Sequence, residues 1–342
     1  MTVRGLSHRR VIIVGAGQAG LAVAAALKNE GLVPQRDFTV IDANTHGQRS
    51  WATRWHSMLL LSDASHSAIS AWPFPGDQSR HPRVDEMEEY LAAVESALGV
   101  ATMWGIRANG VDRVGSGSTL MLSTTEGPVQ TRNVVCATGS AAQPRVPGWA
   151  ARLDIAGPVL HSAQYSFPRQ IPQGDVLIIG DGVSGLQIAQ ELVHSHVVTL
   201  STRARATVDA RRLPHTRRPV SSAWSMTRRK KLRREADHAE LRQRGVTIAS
   251  AAVETNGPEV LFEDGARTAP RSVIFATGYV PGDTWLPQSF RDGAPGRRLR
   301  GATALPGLFV AGIPGYSRPG ADSLAGVARD ATAIARQIMN RP

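Results

Sequence analysis

Cysteine and long apolar runs are scarce in this 342-residue chain. It has a single cysteine, Cys136, so it can form no internal disulfide, and no apolar run approaches the roughly 20 residues that cross a bilayer. These absences predict a cytoplasmic protein in a reducing compartment, with no membrane partner. With 42% hydrophobic residues, the chain is long enough for two medium-sized domains.

Lysine is also rare, since only Lys28, Lys230 and Lys231 occur, and arginine therefore carries nearly all of the formal charge of +11. A basic chain can bind nucleic acid, but this one has no zinc-ligand spacing, no motif of stacking aromatics and no heptads. A basic surface with pockets for phosphate-bearing cofactors explains the charge better, so we predict no nucleic-acid partner. The arginine-rich residues 203–244 predict a solvated helix, with a mobile lid or a docking face as alternatives.

A strand–turn–helix pattern occurs twice along the chain. Val11–Val14 is a short apolar run typical of a buried parallel strand, and it leads into a glycine-rich turn and an apolar helix. Val176–Ile179 repeats this plan, and each copy later closes with an apolar strand that ends in Ala-Thr-Gly. We predict that the glycines of these two ends, Gly139 and Gly278, also contact the cofactors. The duplication predicts an α/β fold with two Rossmann-like dinucleotide-binding domains.

Both glycine-rich turns follow the pattern G-x-G-x-x-G. In this pattern the first glycine permits a tight bend, the second lets a pyrophosphate approach the backbone, and the third lets the helix pack closely on the strand. The helix N-terminus adds free N–H groups and a partial positive charge. We predict that the following residues bind the two dinucleotides: Gly15, Gly17, Gln18 and Gly20 in the first turn, and Gly180, Gly182, Ser184 and Gly185 in the second.

The two copies differ at the end of their second strand. Asp42 lies about 20 residues beyond the first turn, where a carboxylate accepts hydrogen bonds from ribose hydroxyls, so we assign the first site to FAD. In the second copy Ser201, Arg203 and Arg205 stand there, with no acid. Hydroxyls and guanidiniums suit a 2′-phosphate, which favours NADPH over NADH. The alternative is that both arginines face solvent.

Proline residues between the copies mark where the chain passes from one domain to the other. Pro147 follows the first copy and Pro281 follows the second. They predict an FAD-binding domain over residues 1–146 and 284–342, with an NADPH-binding domain over residues 147–283 inserted into it.

Residues 155–165 read Ile-Ala-Gly-Pro-Val-Leu-His-Ser-Ala-Gln-Tyr. They resemble the F-x-G-x-x-x-H-x-x-x-(F/Y/W) fingerprint of the flavin-containing monooxygenases, including the plant YUCCA-type enzymes, with Ile155 in place of the phenylalanine. The resemblance spans nearly the whole chain. Ser50–Trp55 is similar to a family segment beside the flavin, which implies flavin contacts for Trp51 and Arg54.

The C-terminal part of the chain extends this resemblance. Asp322–Asp330 looks like the family's stretch under the flavin ring, where a helix N-terminus stabilises negative charge on the reduced flavin. The resemblance implies cofactor contacts for Gly312, Ser323 and Leu324, and the pattern of the last helix predicts Ser323 as its N-cap.

The resemblance implies an NADPH- and O2-dependent monooxygenase. Reduced FAD would form a C4a-hydroperoxyflavin that oxygenates a nitrogen or sulfur atom of a small-molecule substrate. Tyr165, at the end of the fingerprint, resembles the amine- and sulfur-oxidising branch. Baeyer–Villiger or decarboxylative oxygenation, an NADPH oxidase or diaphorase, and a non-enzymatic binding protein are the alternatives. The oligomeric state stays open, with a homodimer among the options.

Two residues are catalytic candidates. By a loose alignment Asp63 matches an active-site asparagine of many relatives, where a carboxylate could orient a substrate amine, supply a proton or destabilise the oxygenated flavin. A solvated loop carboxylate is the alternative. His161 belongs to a linker that shapes the nicotinamide pocket in the family, where a structural role competes with proton transfer. Cys136 is predicted to be a small core residue, and without a C-x-x-C pair thioredoxin-reductase chemistry is not expected.

Overall fold

The computed structural model describes residues 3–7, 9–69, 71–203, 235–292, 300–318 and 320–341. The strands, in chain order, are β1 (Val11–Val14), β2 (Phe38–Asp42), β3 (Met103–Trp104), β4 (Ala108–Arg113), β5 (Leu120–Thr124), β6 (Gly127–Thr131), β7 (Asn133–Cys136), β8 (Gln143–Pro144), β9 (Val159–His161), β10 (Asp175–Ile179), β11 (Val197–Ser201), β12 (Thr247–Ala249), β13 (Ala252–Asn256), β14 (Glu259–Phe262), β15 (Arg267–Thr268), β16 (Ser272–Phe275), β17 (Tyr279–Val280) and β18 (Leu308–Val310).

The α-helices are α1 (Gln18–Asn29), α2 (Val84–Leu98), α3 (Val183–Leu192), α4 (helical over residues 235–243), α5 (Gln288–Asp292) and α6 (Leu324–Met339). Short 3-10 turns lie at Val3–Leu6, Ala64–His66, Gly148–Arg152 and Pro168–Gln170.

Two compact units make up the chain. Residues 1–143 and 279–342 form the first unit, and residues 144–278 form the second. The second unit is therefore inserted into the first along the chain. The cofactor that the sequence assigns to each domain stays a prediction.

The first unit contains a five-stranded parallel sheet in the order β18-β7-β1-β2-β3. Val14 pairs with Ile41 on one side and with Cys136 on the other. All residues of β1, β2 and β7 are buried, as expected for parallel strands whose connections place helices on both faces of the sheet. A separate antiparallel sheet, β4-β5-β6, completes the unit.

The second unit repeats this spatial arrangement, although its edge strand β9 comes first in the sheet's chain order whereas β18 comes last in that of the first unit. Its parallel sheet has the order β9-β16-β10-β11-β12, which matches the first sheet strand for strand, and an antiparallel sheet, β13-β14-β15, takes the place of β4-β5-β6. The predicted fold class, with two Rossmann-like domains, is confirmed.

Helix boundaries agree closely with the sequence patterns. Helix α1 begins at Gln18, inside the glycine turn rather than after it, because the third glycine belongs to the first helical turn. Helix α2 ends at Gly99, which adopts φ +69° in the left-handed region. The side chain of Ser323 accepts a hydrogen bond from the Gly326 N–H at 3.1 Å, which confirms Ser323 as the N-cap of α6.

The arginine-rich segment 203–244 is described only at residue 203 and from residue 235 onward. Residues 235–243 are helical, and Arg244 forms an ion pair with Glu240 at 2.7 Å. The prediction for the rest of this segment, Arg205 included, lies outside the described residues. Within the described part of the chain, no helix combines the length and apolar character needed to cross a membrane.

Candidate nucleotide-binding sites

The first residue of each glycine turn packs against an Ala-Thr-Gly strand. Gly15 and Gly180 adopt φ +113° and +109°, in a region that L side chains rarely occupy. A Cβ atom at Gly15 would lie 2.4 Å from the Ala137 carbonyl oxygen, and one at Gly180 would lie 2.5 Å from that of Ala276. Backbone conformation and packing within the protein therefore require glycine at both positions, whether or not a ligand is bound.

The third glycine of each turn lets the helix approach the turn. A Cβ atom at Gly20 would lie 1.8 Å from the Gly15 carbonyl oxygen, and one at Gly185 would lie 1.8 Å from the Gly180 carbonyl oxygen. The two turns therefore have the same internal geometry, and any larger residue would push α1 or α3 away from its turn.

At the second position of each turn, neither the backbone conformation nor packing against described residues requires glycine. Gly17 and Gly182 adopt φ −77° and −72°, which every residue tolerates. A Cβ atom at either position would meet no described atom within 4 Å. Each is also the N-cap of its helix and supplies no side-chain cap to the first N–H groups of that helix. The two turns thus fit pyrophosphate groups, which need close access to the backbone.

Asp42 is buried beside the first turn, with 8% of its surface exposed. Its Oδ2 accepts a hydrogen bond from the Ala16 N–H at 2.7 Å, and its Oδ1 accepts one from the Asn44 N–H at 2.8 Å. The carboxylate therefore holds the turn against the end of β2. Each oxygen has a second lone pair, so Asp42 keeps capacity to accept from ribose hydroxyls.

Arg49 holds the same turn from the other side, and the sequence did not point to it. Its guanidinium is 3% exposed, donates from Nε to the Ala16 carbonyl oxygen at 2.9 Å, and forms an ion pair with Glu95. It also lies 5.2 Å from the ring centroid of Trp104. Both polar groups of the Ala16 backbone are thus bound to charged side chains. No local motif could have revealed Arg49, because its partners lie far away along the chain.

Gln18 joins the first turn to the segment before α6. Its Nε2 donates to the Asp322 carbonyl oxygen at 3.0 Å. Its Oε1 is buried and has no hydrogen-bond partner in the part of the chain that the structure describes. A buried acceptor of this kind is costly unless a donor reaches it, which fits a ligand hydroxyl at this position.

Gly312, which follows β18, lies close against α1, because a Cβ atom at this position would lie 2.6 Å from the Ala19 Cβ. In the predicted flavin stretch, Ser323 caps α6 and Leu324 is buried in its first turn. Gln18, Ser323 and the Gly312 contact therefore lie together at the N-termini of two helices of the first unit.

Trp51 and Arg54 lie in a loop of the first unit. Trp51 is half-buried against the core of that unit. The Arg54 guanidinium donates a hydrogen bond to the Tyr279 hydroxyl and lies 4.8 Å from the Tyr279 ring centroid. Arg54 is thus tied to β17, where the chain re-enters the first unit. Flavin contacts for both residues stay a prediction.

In the second unit, Ser201 and Arg203, which are predicted to bind the 2′-phosphate, differ from each other in their surroundings. Ser201 is buried, and its hydroxyl both donates to the Ser250 carbonyl oxygen and accepts from the Ala252 N–H, each at 2.8 Å. This pairing favours a structural role for Ser201. Arg203 is exposed, and its contact with a 2′-phosphate stays a prediction. Arg205 lies outside the described residues.

His161 is buried at the end of β9, with 2% of its surface exposed. Its Nδ1 accepts from the Ala163 N–H at 3.1 Å, so Nε2 carries the hydrogen, which it donates to the Gly278 carbonyl oxygen at 3.1 Å. Both ring nitrogens are therefore bound to the main chain around the second Ala-Thr-Gly. Of the two roles that the sequence left open, the geometry favours the structural one.

Asp63 caps the short 3-10 turn that follows it. Its carboxylate accepts from the Ser65 hydroxyl at 2.7 Å, from the His66 N–H at 3.0 Å and contacts the His66 ring at 2.7 Å. These hydrogen bonds, with that of Ser65 as the largest cause, lower the pKa of Asp63 to about 2. A carboxyl group that stays ionised is a poor proton donor at neutral pH, so the lowered pKa argues against proton transfer by Asp63.

Cys136 is fully buried in β7, as predicted. Burial raises the pKa of its thiol to about 12. The thiol is therefore protonated and shielded from solvent, which makes it a core residue rather than a nucleophile.

The profile of the pyridine nucleotide-disulphide oxidoreductase family matches residues 12–312. The chain belongs to this family. The disulphide chemistry in the family's name requires a redox-active pair of cysteines, and this chain has only the buried Cys136.

Three known proteins show which kinds of oxidoreductase the chain is similar to. The uncharacterized oxidoreductase CzcO of Bacillus velezensis is 26% identical over 351 residues, which cover 96% of this chain and 98% of that protein. The indole-3-pyruvate monooxygenase YUCCA1 of Oryza sativa subsp. japonica is 31% identical over 184 residues, 53% of this chain and 44% of the plant enzyme. A flavin-containing monooxygenase from Stenotrophomonas maltophilia has the same fold, with a TM-score of 0.74 at 24% identity over 96% of this chain and 97% of that one.

The resemblance to the flavin-containing monooxygenases is therefore confirmed. The family is named for a pyridine nucleotide and the Stenotrophomonas protein for a flavin, in agreement with the two cofactors that the sequence predicts.

Proposed function

We propose that the chain is an NADPH- and O2-dependent flavoprotein monooxygenase that oxygenates a nitrogen or sulfur atom of a small molecule. The observation that carries this proposal is the pair of open positions at Gly17 and Gly182, one in each glycine turn. Two pyrophosphate sites suit an enzyme that passes electrons from one dinucleotide to another, and the likeness to flavin monooxygenases extends over nearly the whole chain.

The first site suits FAD. The open backbone at Gly17 would receive the pyrophosphate, and Asp42 would accept from ribose hydroxyls with the lone pairs that Ala16 and Asn44 leave unused. The orphaned Oε1 of Gln18 would accept from a further hydroxyl. The N-terminus of α6, capped by Ser323, would stabilise negative charge on the ring when the flavin is reduced.

The second site suits NADPH. The open backbone at Gly182 and the free N–H groups of the first turn of α3, which contains Ser184, would receive its pyrophosphate. The exposed guanidinium of Arg203 would bind the 2′-phosphate. Thr202 occupies the position after β11 that an acid takes in the first copy, so no carboxylate of that strand would repel the phosphate.

When bound, FAD would supply electron transfer and oxygen activation, while the protein's residues orient the partners and exclude water. Arg54 would hold its loop against β17 through Tyr279. His161 would keep the main chain at Gly278 in place. Cys136, buried and protonated, would take no part in the redox step.

Oxygen-isotope labelling tests the proposal. FAD-loaded protein is supplied with NADPH and ¹⁸O2, and small amines and thioethers are screened as substrates. We expect one labelled oxygen atom on nitrogen or sulfur, with peroxide release falling as substrate is added. Stoichiometric peroxide with every compound would show an oxidase instead, and a labelled ester from a ketone would show the Baeyer–Villiger alternative.

Glycine variants test the assignment of the two cofactors. Alanine at Gly17 should weaken FAD binding and leave NADP+ binding unchanged, whereas alanine at Gly182 should do the reverse. Gly110→Ala and Gly148→Ala are matched controls, because a Cβ atom at these positions also meets no described atom within 4 Å and neither lies in a glycine turn. If the controls weaken cofactor binding as much as Gly17→Ala and Gly182→Ala, the turns are not the binding sites.

A further inference from the structure

A small cavity lies beside α6 in the first unit. The charged residues that line it are Arg300, Arg318, Arg329 and Asp330. Its volume is about 250 Å³. Pockets for drug-sized ligands span roughly 300–1,000 Å³, so this cavity is too small for a dinucleotide and suits a small ion.

Arg300 is held against α6 by the residue that follows it. A Cβ atom at Gly301 would lie 2.8 Å from the Ile334 Cδ1, so the chain passes the helix at a distance that only glycine allows. Arg300 itself adopts φ +42°, in the left-handed region that favours glycine. Residues other than glycine in this region cluster at binding sites. Within the described residues, the Arg300 side chain forms no hydrogen bond or ion pair.

Arg318 and Arg329 complete the positive part of the lining. Ser317, next to Arg318, donates its hydroxyl hydrogen to the Asp330 Oδ1 at 2.8 Å, which ties this segment to α6. Arg329 belongs to α6 itself. Both arginines are exposed, and neither side chain has a hydrogen bond or ion pair in the part of the chain that the structure describes. Guanidiniums stay charged in proteins, so three positive charges without ion-pair partners border this cavity.

The described lining also contains one acid. Asp330 is 6% exposed, and its Oδ1 accepts the hydrogen bond from Ser317. Its Oδ2 has no hydrogen-bond partner among the described residues. An ionised carboxylate accepts hydrogen bonds and donates none, and a largely buried acceptor is costly without a donor. The ligand that fits this lining has negative charge for the arginines and a hydrogen-bond donor for Asp330.

We propose that this cavity is an oxyanion site that binds inorganic phosphate. At neutral pH inorganic phosphate keeps at least one hydroxyl group, which can donate to Asp330, while its other oxygens accept charge-assisted hydrogen bonds from the guanidiniums. Sulfate has the same shape but no hydrogen at this pH, so the Asp330 carboxylate would repel it. The inference goes beyond the proposed function, because the described lining includes no residue predicted to contact FAD or NADPH.

Calorimetry with inorganic phosphate tests the inference. FAD-loaded protein is titrated at pH 7 and constant ionic strength, with excess NADP+ so that the occupied cofactor sites do not take up phosphate. We expect one phosphate per chain, with sulfate bound about 10-fold more weakly or worse. Thermal unfolding gives a second readout. Phosphate should raise the melting temperature more than sulfate does, although both ions strengthen burial in general.

Variants locate the site. Arg318→Gln and Arg329→Gln should each weaken phosphate binding about 10-fold or more, since each removes a charge-assisted hydrogen bond. Arg113→Gln, at an exposed arginine of β4 that does not line the cavity, is the matched control and should bind phosphate like wild type. Asp330→Asn keeps an acceptor for Ser317 and gains an amide donor, so it should narrow or reverse the preference for phosphate over sulfate.

Four outcomes would overturn the inference: no phosphate binding by wild type, undiminished binding by Arg318→Gln and Arg329→Gln, an equal loss in Arg113→Gln, or equal wild-type affinities for phosphate and sulfate. Release of FAD as phosphate is added would assign the cavity to the flavin site instead, which also overturns it. The arginine variants decide the question even where Asp330→Asn fails to fold, because both arginines are exposed. A protein that binds phosphate in this cavity but neither FAD nor NADP+ would contradict the proposed function and leave this inference standing.

Discussion

Asp42 and Ala16 are joined by a hydrogen bond of 2.7 Å that closes the first glycine turn onto the end of β2. The residue expected to contact the ribose is thus also a structural support of the turn. Its second oxygen accepts the Asn44 N–H at 2.8 Å, and the residue is buried. Loss of this carboxylate therefore has consequences even when no nucleotide is bound.

We expect Asp42→Ala to destabilise the protein without cofactor by about 1–3 kcal/mol, because it leaves two N–H groups without their acceptor. The free energy of unfolding, from urea titration of the apoprotein, measures this loss. Asp42→Asn should cost less, since the amide oxygen still accepts. Asp112→Ala, at an exposed carboxylate of β4, is the control and should change stability little. Equal stabilities for Asp42→Ala and wild type would show that the turn does not need this support.

Removing the Arg49 side chain should destabilise the apoprotein more than removing the Asp42 carboxylate, because it leaves Glu95 without its partner in a largely buried position. The Glu95 side chain is 15% exposed. Breaking a buried ion pair by removing one partner costs roughly 3–5 kcal/mol, so Arg49→Met should destabilise the apoprotein strongly in urea titration. The double variant Arg49→Met with Glu95→Gln should recover part of the loss. A double variant as unstable as the single one would mean that the Ala16 contact, rather than the ion pair, carries the effect.

Arg203 decides the choice between NADPH and NADH in the proposed function. Charge-assisted hydrogen bonds contribute about 1.5–3 kcal/mol, so Arg203→Ala should raise KM for NADPH by roughly 10- to 100-fold and leave KM for NADH nearly unchanged. Steady-state kinetics with both nucleotides measure the ratio. Arg113→Ala, at an exposed arginine of the first unit, is the control. An equal loss with NADPH and NADH would remove Arg203 from the 2′-phosphate site.

Asp63 has a pKa of about 2 in the folded protein, below its ordinary value of 3.8. Because the folded value is depressed, the ionised carboxylate stabilises the protein above pH 3.8, and this contribution disappears as the pH falls towards 2. The urea midpoint of Asp63→Asn should therefore lie below that of wild type at pH 7, and the gap should narrow at pH 3.

The same pKa predicts how catalysis depends on pH. Since Asp63 stays ionised from about pH 4 upward, the pH profile of kcat between pH 6 and 8 should have the same shape in Asp63→Asn as in wild type. A profile limb that disappears in the variant would show that Asp63 does transfer a proton.

Much of the fold could be predicted because the signals are local. The apolar run before Gly15, the glycine spacing and the apolar helix stripe define strand, turn and helix within about 20 residues, and each pattern occurs twice. Ser323 could be named as an N-cap for the same reason. The glycine spacing does not show where α1 starts, because the third glycine looks like part of the turn while its backbone is already helical.

The details of the site could not be predicted, because they depend on side chains from distant parts of the chain. Arg49 binds the carbonyl of a residue 33 positions earlier. Nothing near Asp181 indicates that a histidine of α4 lies against it. Ser201 looks like a phosphate ligand in the sequence, but in the structure its hydroxyl already has a donor and an acceptor in the β12–β13 connection.

By itself the sequence determined the two glycine turns, the duplicated α/β plan and the absence of a cysteine pair, because each depends on residue types at fixed short spacings. Only the tertiary structure decided which charged groups hold those turns. Asp42 and Arg49 bind the first turn from opposite sides, whereas the second turn has its own carboxylate and an imidazole from α4. The physical reason is that a buried charge is stable only beside its partner, and the packing of whole elements determines which partner that is.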